Sequence, residues 1–234
     1  MGVLDNIAIG IHMLWSRLKV RAPFIRALKS LEKTQADVLM RILRDNKKTE
    51  FGKKYGLSEI SSVSEFRNQV PIHDYDDLQP YIKRQQEGHR SLTTEAPVYY
   101  ARTSGTTGSY KDIPLTESGI TQIKHFQKQL AYSLWSQTDF FKGTILGFSS
   151  PRFEGKLSNG IPYGSTSGAI YDSLSSLFKK KLAIPSEAYD LSNVESKYEV
   201  YALSALAHDS VTGVSSVNPS SLLKVCTLIE ENAE

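Results

Sequence analysis

Cysteine is almost absent from this sequence of 234 residues, which contains only Cys226. A single cysteine cannot form a disulfide within the chain, so the sequence favours a reducing, cytoplasmic setting. Cys226 stands among Leu222, Leu223 and Ile229 on a predicted helix. We therefore expect a buried, small apolar side chain at this position rather than a catalytic nucleophile.

Long apolar runs and a strong excess of one charge are also missing. No window approaches the roughly 18 consecutive apolar residues that a membrane span requires. The formal net charge is only +3, and basic residues in the N-terminal third alternate with apolar ones as on a solvated helix face. Nucleic acid is therefore not an expected partner, and the composition, with 40% hydrophobic and 23% charged residues, is that of a globular protein.

The N-terminal part of the chain has the hydrophobic spacing of helices. Residues 24–46 are predicted to form one amphipathic helix with an apolar face made by Phe24, Leu28, Leu31, Val38, Ile42 and Leu43. A shorter helix before it carries Ile11, Leu14, Trp15 and Leu18. We expect this second set to pack on the core, with a position on a membrane surface as the alternative.

Polar residues at helix starts predict several caps. Ser62 and Glu65 have capping-box spacing before a short helix that must end ahead of Pro71. Asp74, Asp76 and Asp77 precede another helix, where carboxylates can accept hydrogen bonds from free backbone N–H groups. A metal site formed with His73 is the alternative, but capping alone accounts for these aspartates.

Strands and helices alternate in the remainder of the chain. The pattern predicts strands over 144–148 and 211–215, and helices after Thr116, over 168–180, over 194–207 and from Pro219, which Asn218 caps. Residues 152–168 are rich in Gly, Ser and Pro and are predicted to form a long loop, either on the substrate side or purely structural. This alternation predicts an α/β fold with substantial parallel pairing.

One stretch, Thr103 to Lys111, combines hydroxyl groups, glycines and a lysine between two predicted extended segments. Small residues let the backbone approach a polyphosphate, the hydroxyls add donors, and the lysine adds positive charge. The spacing differs from the common P-loop, and an exposed Ser/Thr/Gly turn is the alternative. The candidate phosphate-binding residues are Ser104, Gly105, Thr106, Thr107, Gly108 and Lys111.

This stretch also carries a family resemblance. Residues 99–108, followed by 111–116, resemble the first ATP-binding motif of the auxin-responsive promoter family, the acyl acid-amido synthetases among the adenylate-forming enzymes. Segments 50–52, 71–78, 160–164 and 217–220 resemble further landmarks in the family's order, so the resemblance covers essentially the whole chain. In one place the chain departs from the family, because Gly108-Ser109-Tyr110-Lys111 stands where Gly-Lys-Pro-Lys is usual.

The resemblance implies a two-step reaction that uses ATP and Mg²⁺. A small carboxylic acid is converted to an acyl-adenylate, and an amine or amino acid then attacks the activated carbon. It also implies a fold in which N-terminal helices precede part of the mixed or parallel sheet of an adenylate-forming large domain. We expect residues 1–90 to be a helical segment that packs on the domain, and 91–234 to be the first part of the ATP-binding domain.

The family extends well beyond the counterpart of Glu234, so the resemblance is to its N-terminal part only. We expect the domain to be incomplete, with an open sheet edge, and the chain alone to be inactive. The missing C-terminal half is then a possible partner as a separate chain. The alternatives are a noncatalytic remnant that binds nucleotide or a partner chain and, with less support, an acyl-CoA ligase.

Overall fold

The computed structural model describes residues 3–103, 110–151 and 153–232 of the chain. By its internal contacts the chain divides into two compact units. The first unit comprises Met1–Arg21, Gln122–Phe153 and Gly164–Glu234, and the second comprises Ala22–Thr121 and Glu154–Tyr163. The division at residue 90 expected from the sequence stays a prediction.

Helices dominate the chain up to residue 86. After α1 the chain continues as a π-helical segment, Arg17–Arg21. The helices of this part are α1 (Val3–Ser16), α2 (Ala22–Leu28), α3 (Leu31–Asn46), α4 (Glu50–Lys54), α5 (Val63–Gln69) and α6 (Tyr75–Gln86).

Strands alternate with helices in the rest of the chain. They are β1 (Pro97–Thr103), β2 (Lys111–Thr116), α7 (Glu117–Gln137), β3 (Thr144–Gly147), β4 (Gly155–Lys156), β5 (Pro162–Gly164), α8 (Thr166–Ser173), α9 (Ser176–Lys179), α10 (Val194–Leu206), β6 (Val211–Ser215) and α11 (Pro219–Glu231). A 3₁₀ turn, Ser186–Asp190, lies between α9 and α10.

The sheets are of two kinds, which confirms the α/β class with mixed pairing. One sheet has the strand order β2-β1-β5-β4, in which β1 pairs with β2, and β4 with β5, in antiparallel fashion. In the first unit, β3 and β6 pair in parallel, as the alternating pattern predicts. The core of the first unit lies around this parallel pair and includes Leu146, Phe148, Ile184, Tyr189, Tyr201 and Val225.

The predicted loop over 152–168 is only partly a loop. It contains the hairpin of β4 and β5, in which Gly155 lies opposite Tyr163, and it ends in the first residues of α8. Gly160 turns the chain between these strands with φ of +83°, a conformation that glycine adopts at little cost. Strands of only two and three residues leave little period-two signal in the sequence.

The caps predicted from the sequence are present. Asp74 and Asp77 form a reciprocal capping box at the start of α6, with N to Oδ distances of 3.0 and 3.2 Å. The Ser62 hydroxyl accepts a hydrogen bond from the Glu65 N–H, and Thr116 accepts one from the Gly119 N–H. These local devices could be predicted because each needs only residues that are neighbours in sequence.

The predicted packing of the N-terminal helix is wrong. Ile11, Leu14 and Leu18 are 65%, 54% and 69% exposed. The helix instead buries Ile9 and Met13, on the stripe that continues to Ser16 and Val20. The apolar residues recur with the period of an amphipathic helix, but the less bulky of the two apolar stripes is the one that is buried.

Two further expectations are corrected. The helix predicted over 24–46 is two helices, because Ser30 has φ of −136° and ψ of 53°, outside the helical region. Among the residues predicted for its apolar face, Phe24, Leu28, Leu31, Val38 and Ile42 are exposed and only Leu43 is buried. The helix predicted over 168–180 is likewise divided, into α8 and α9, at Leu174, which is extended.

Cys226 is exposed, contrary to the buried position expected for it. Its neighbour Val225 is 1% exposed and makes the core contact of α11. Successive residues on a helix point about 100° apart, so burial of Val225 turns Cys226 away from the core.

None of the described helices combines the length and the apolar character needed to cross a membrane.

Candidate functional site

The predicted phosphate-binding stretch joins two paired strands. β1 and β2 form an antiparallel hairpin in which Thr103 lies opposite Lys111 and Arg102 lies opposite Asp112. This confirms the two extended segments that the sequence predicts on either side of the stretch. The remaining predicted residues lie outside the described part of the chain, namely Ser104, Gly105, Thr106, Thr107 and Gly108.

Lys111 is the predicted site residue that the structure does place. It is half-buried at the first position of β2, and its Nζ lies 5.3 Å from the centre of the Tyr75 ring. Across the described ranges, no ion pair joins Lys111 to a carboxylate. An ammonium group at the mouth of this hairpin can therefore offer its charge to an anion.

Arg102 and Asp112 form the ion pair at the base of the hairpin. Arg102 Nε and Nη2 donate to the two Asp112 carboxylate oxygens at 2.8 and 3.0 Å. Their side chains are only 19% and 16% exposed. Hydrogen bonding to Asp112 raises the pKa of Arg102, so the charge of this arginine is balanced within the hairpin.

Aromatic residues from two other elements fix this base. The Arg102 guanidinium carbon lies 3.6 Å from the centre of the Tyr163 ring on β5, a stacked cation–π contact. On the other strand, the Asp112 backbone N–H donates to Tyr75 Oη at 2.9 Å. Both strands that enter the tip are therefore held in place, β1 by β5 and β2 by α6.

Sequence reasoning did not identify Arg102, Asp112, Tyr75 or Tyr163 as parts of this site. The opposite charges of Arg102 and Asp112, at facing positions of a predicted hairpin, were a usable signal. The two tyrosines carry no such signal, because they come from elements distant in sequence.

His73 has a partner other than a metal. Its Nε2 lies 2.8 Å from Tyr55 Oη, and its ring meets the Phe51 ring edge to face at 5.4 Å. Within 3–103, 110–151 and 153–232, no three or more His, Cys, Asp or Glu residues are grouped as a metal site would require.

The first unit contains a cavity of about 450 Å³ that sequence reasoning also missed. Apolar side chains from α1, α7, α8, α9 and the chain around β3 line most of it, including Met13, Leu134, Phe140, Phe141, Ile170 and Phe178. Its polar lining residues are His12, Ser16, Lys124, Gln127, Lys128, Ser173, Ser175 and Ser215. A cavity of this size and character can hold a small amphipathic molecule.

Comparisons with known proteins agree on one family. The model described as "GH3 family N-terminal domain" matches residues 21–234. The indole-3-acetic acid-amido synthetase GH3.2 of Arabidopsis thaliana is 27% identical over 232 residues, covering 89% of this chain and 41% of that protein. The jasmonoyl-L-amino acid synthetase JAR4 of Nicotiana attenuata is 28% identical over 146 residues, covering 61% and 25%.

A solved structure gives the same result for the fold. "AtGH3.15 acyl acid amido synthetase in complex with 2,4-DB" matches with a TM-score of 0.72 at 25% identity, covering 88% of this chain and 38% of that one. The chain thus spans about two fifths of the length of GH3.2 and of this solved structure.

Proposed function

This chain belongs to the GH3 family, and on that premise we propose that it is the N-terminal part of an ATP-dependent acyl acid-amido synthetase. In the first step, a carboxylate oxygen of the acid attacks the α-phosphorus of ATP, and pyrophosphate leaves. In the second step, the nitrogen of an amine or amino acid attacks the acyl carbon, AMP leaves, and the nitrogen loses a proton. The product is an amide.

The relatives support the substrate classes. Their names describe enzymes that act on small carboxylic acids, indole-3-acetic acid and jasmonic acid, and the second names an amino acid as the other substrate. The observation that carries the proposal is the family match over 21–234, because the matched range includes β1, β2 and the residues between them.

The hairpin supplies the proposed nucleotide contacts. Ser104, Thr106 and Thr107 would donate hydroxyl hydrogen bonds to the phosphates, and Gly105 and Gly108 would let the backbone approach them. Lys111 would neutralise part of the triphosphate charge, which lowers the barrier to attack by another anion. Mg²⁺ would accompany ATP as its counterion and would neutralise further charge on the phosphates.

Exposed apolar surface in the first unit supports a covering segment. Leu203, Leu206, Val214, Val217 and Leu223 are each more than two fifths exposed. Exposed apolar residues that form a contiguous patch usually face another part of a protein or a partner. We propose that residues equivalent to the remaining three fifths of GH3.2 cover it, in the same polypeptide or as a separate one, and that the assembly is cytoplasmic.

A chimera tests the reaction. Residues 1–234 would be fused to the part of Arabidopsis GH3.2 that this chain does not cover, and indole-3-acetate-dependent exchange between ATP and pyrophosphate would be measured. We expect exchange by the chimera and none by the 234-residue chain alone. The noncatalytic alternative predicts no exchange by a folded chimera that still binds nucleotide, and an acyl-CoA ligase would transfer the acyl group to CoA in preference to an amino acid.

Lys111→Ala tests the role of the lysine within that chimera. A charge-assisted contact is worth roughly 1.5–3 kcal/mol, so ATP should bind about ten to a hundred times more weakly. The matched control is Lys142→Ala, since Lys142 is an exposed lysine paired with Asp139 at 2.8 Å. Equal ATP affinity in both variants would show that Lys111 does not contact the nucleotide.

A further inference from the structure

Helix α1 lies before the family match, which begins at residue 21, yet contacts at two points hold it within the first unit. Near its start, Asp5 pairs with Lys180 at 3.2 Å. Further along, the His12 ring meets the Phe178 ring edge to face at 5.4 Å, and the neighbouring Met13 is 1% exposed. Because these contacts fix the rotation of α1, the opposite side of the helix faces outward.

The outward side of α1 is also apolar. At about 100° per residue, its large apolar side chains fall within an arc of about 100°, opposite the arc that holds the buried Ile9 and Met13. The π-helical segment that follows adds one more exposed leucine. We call these residues the outer stripe; they are between 48% and 81% exposed and are Leu4, Ile7, Ile11, Leu14, Trp15 and Leu18. An exposed apolar face on a helix whose other face is already buried indicates a second contact.

The charge beside the outer stripe is basic. Arg17 and Lys19 adjoin its last residue, both are exposed, and among the described residues neither forms an ion pair with a carboxylate. Lys128 Nζ lies 5.5 Å from the centre of the Trp15 ring. Asp5 is the one acidic residue in the sequence from 3 to 21, and it is engaged in the ion pair described above. A surface that covers the outer stripe should therefore combine apolar groups with negative charge.

An anionic lipid bilayer has this combination. A helix that lies in the plane of the membrane interface places its apolar side chains below the headgroups. Tryptophan is favoured at the level of the headgroups, and long basic side chains can extend to the lipid phosphates. The cytoplasmic leaflet of a membrane carries anionic lipid, so it offers such a surface.

A second copy of α1 fits the outer stripe less well. From Leu4 to Leu18 the stripe has the alternating three- and four-residue spacing of a coiled coil, but it extends over only about two heptads, and about three to four are typical of a stable one. A second copy would also bring Arg17 and Lys19 to the contact without a carboxylate to pair with them, since Asp5 is engaged by Lys180. Like charges at a contact are unfavourable.

We propose that the outer stripe docks the first unit on the surface of an anionic lipid bilayer. Its six apolar side chains enter the interface between headgroups and acyl chains, and Arg17 and Lys19 contact the lipid phosphates. The helix need not leave the first unit to do so, because the contacts of Asp5, His12 and Met13 lie on its other side. The proposal is independent of the proposed reaction, because it involves no residue of the hairpin.

Binding of the 234-residue chain to vesicles tests the proposal. One set of vesicles is phosphatidylcholine alone, and in the other about a third of the lipid is phosphatidylserine. Co-sedimentation gives the partition coefficient for each set, and we expect it to be at least tenfold higher for the anionic vesicles and to fall as salt is added. Equal partitioning into both sets, or no binding to the anionic vesicles, would overturn the proposal.

The fluorescence of Trp15 distinguishes insertion from a purely electrostatic attachment. Trp15 and Trp135 are the two tryptophans of the chain, so in Trp135→Phe all tryptophan emission comes from Trp15. On anionic vesicles this emission should shift to shorter wavelength and become protected from iodide in the water. Binding without either change would show that the outer stripe does not enter the bilayer.

A double substitution, Ile11→Gln with Leu14→Gln, tests the apolar part of the contact. It should lower the partition coefficient at least tenfold and leave the melting temperature unchanged, because both side chains are more than half exposed. The matched control is Leu203→Gln with Leu206→Gln, which removes two exposed leucines from α10 in the same unit. An equal loss of binding in both double variants would show that any exposed apolar residue serves, and would overturn the role of α1.

A second double substitution, Arg17→Gln with Lys19→Gln, tests the charges. A basic residue near an anionic membrane contributes about a fivefold gain in binding, so loss of two should weaken binding to the anionic vesicles about thirtyfold. Lys47→Gln with Lys48→Gln is the control, because it lowers the net charge by the same amount at two exposed lysines outside α1. Equal effects of the two pairs would show that net charge alone determines binding, which would contradict the proposed contact.

Sedimentation equilibrium without lipid tests the second copy. We expect a monomer whose mass is the same in the chain and in the Ile11→Gln, Leu14→Gln variant. A dimer that this variant abolishes would show that a second copy covers the outer stripe, and the membrane proposal would fail.

Discussion

Asp112→Asn is the sharpest test of how the hairpin is held. The substitution keeps the size and shape of the side chain but removes the negative charge that both Arg102 donors face at 2.8 and 3.0 Å. Arg102 would then remain stacked on Tyr163 with its charge unbalanced and only 19% of its side chain exposed. The hairpin should therefore open more easily, although its backbone pairing is unchanged.

The size of the effect follows from the geometry. Hydrogen bonds to charged groups contribute roughly 1.5–3 kcal/mol each, and the asparagine oxygen can still accept one of the two. Because the pair keeps some contact with water, leaving Arg102 unpaired costs less than it would at a fully buried site. We therefore expect the free energy needed to open the hairpin to fall by about 2 kcal/mol. At about 1.36 kcal/mol for each factor of ten, local opening should become about thirtyfold more frequent.

Hydrogen exchange measured by mass spectrometry reports this opening directly. Peptides covering β1 and β2 should exchange about thirtyfold faster in Asp112→Asn. Asp139→Asn is the matched control. Asp139 pairs with Lys142 at a similar distance, 2.8 Å, but its side chain is 72% exposed, so loss of this pair should change the free energy of opening by less than about 0.5 kcal/mol. If exchange in the hairpin rises less than threefold, the ion pair does not hold β1 and β2 together.

Four further substitutions have clear expectations. Thr49→Ala removes the buried cap of α4 and should lower the free energy of unfolding by about 1–2 kcal/mol, measured in urea. Gly143→Ala should lower the melting temperature because the added Cβ would collide with the backbone oxygen of Ser210, whereas Gly10→Ala, with open space around it in α1, should raise it slightly. Arginine hydrogen bonding lowers the pKa of Glu50 to about 2, so its stabilising effect is present above its ordinary pKa of 4.5 and is lost as the pH falls towards 2. Acid titrations followed by circular dichroism should therefore show a weaker loss of structure in that window for Glu50→Gln.

Much of the fold could be predicted because it depends on local order. The caps at Ser62, Asp74, Thr116 and Asn218 and the strand at 211–215 are all present. Each of these features depends on residues a few positions apart, so distant parts of the chain have little influence on whether it forms. The predicted nucleotide role of the hairpin tip stays a prediction, since residues 104–109 lie outside the described ranges.

The predictions that were wrong concern which face of a helix is buried. The sequence of α1 has a bulkier apolar stripe through Ile11 and Leu14, but Met13 and Ser16 face the interior. In α11 the same ambiguity placed Cys226 in the core, although Val225 occupies that position. Period alone identifies a helix, but its rotation is decided by the surface against which it packs.

The sequence by itself determined three things: the two strands around Thr103 to Lys111, the candidate phosphate-binding residues and the likeness to a family. Each of them depends on short runs of consecutive residues. Only the tertiary structure decided that Tyr163 stacks on Arg102 and that Met13, Leu134 and Phe178 line one cavity in the first unit. Such contacts join side chains from elements far apart in the chain, so they depend on strand order and helix rotation, and no local pattern specifies them.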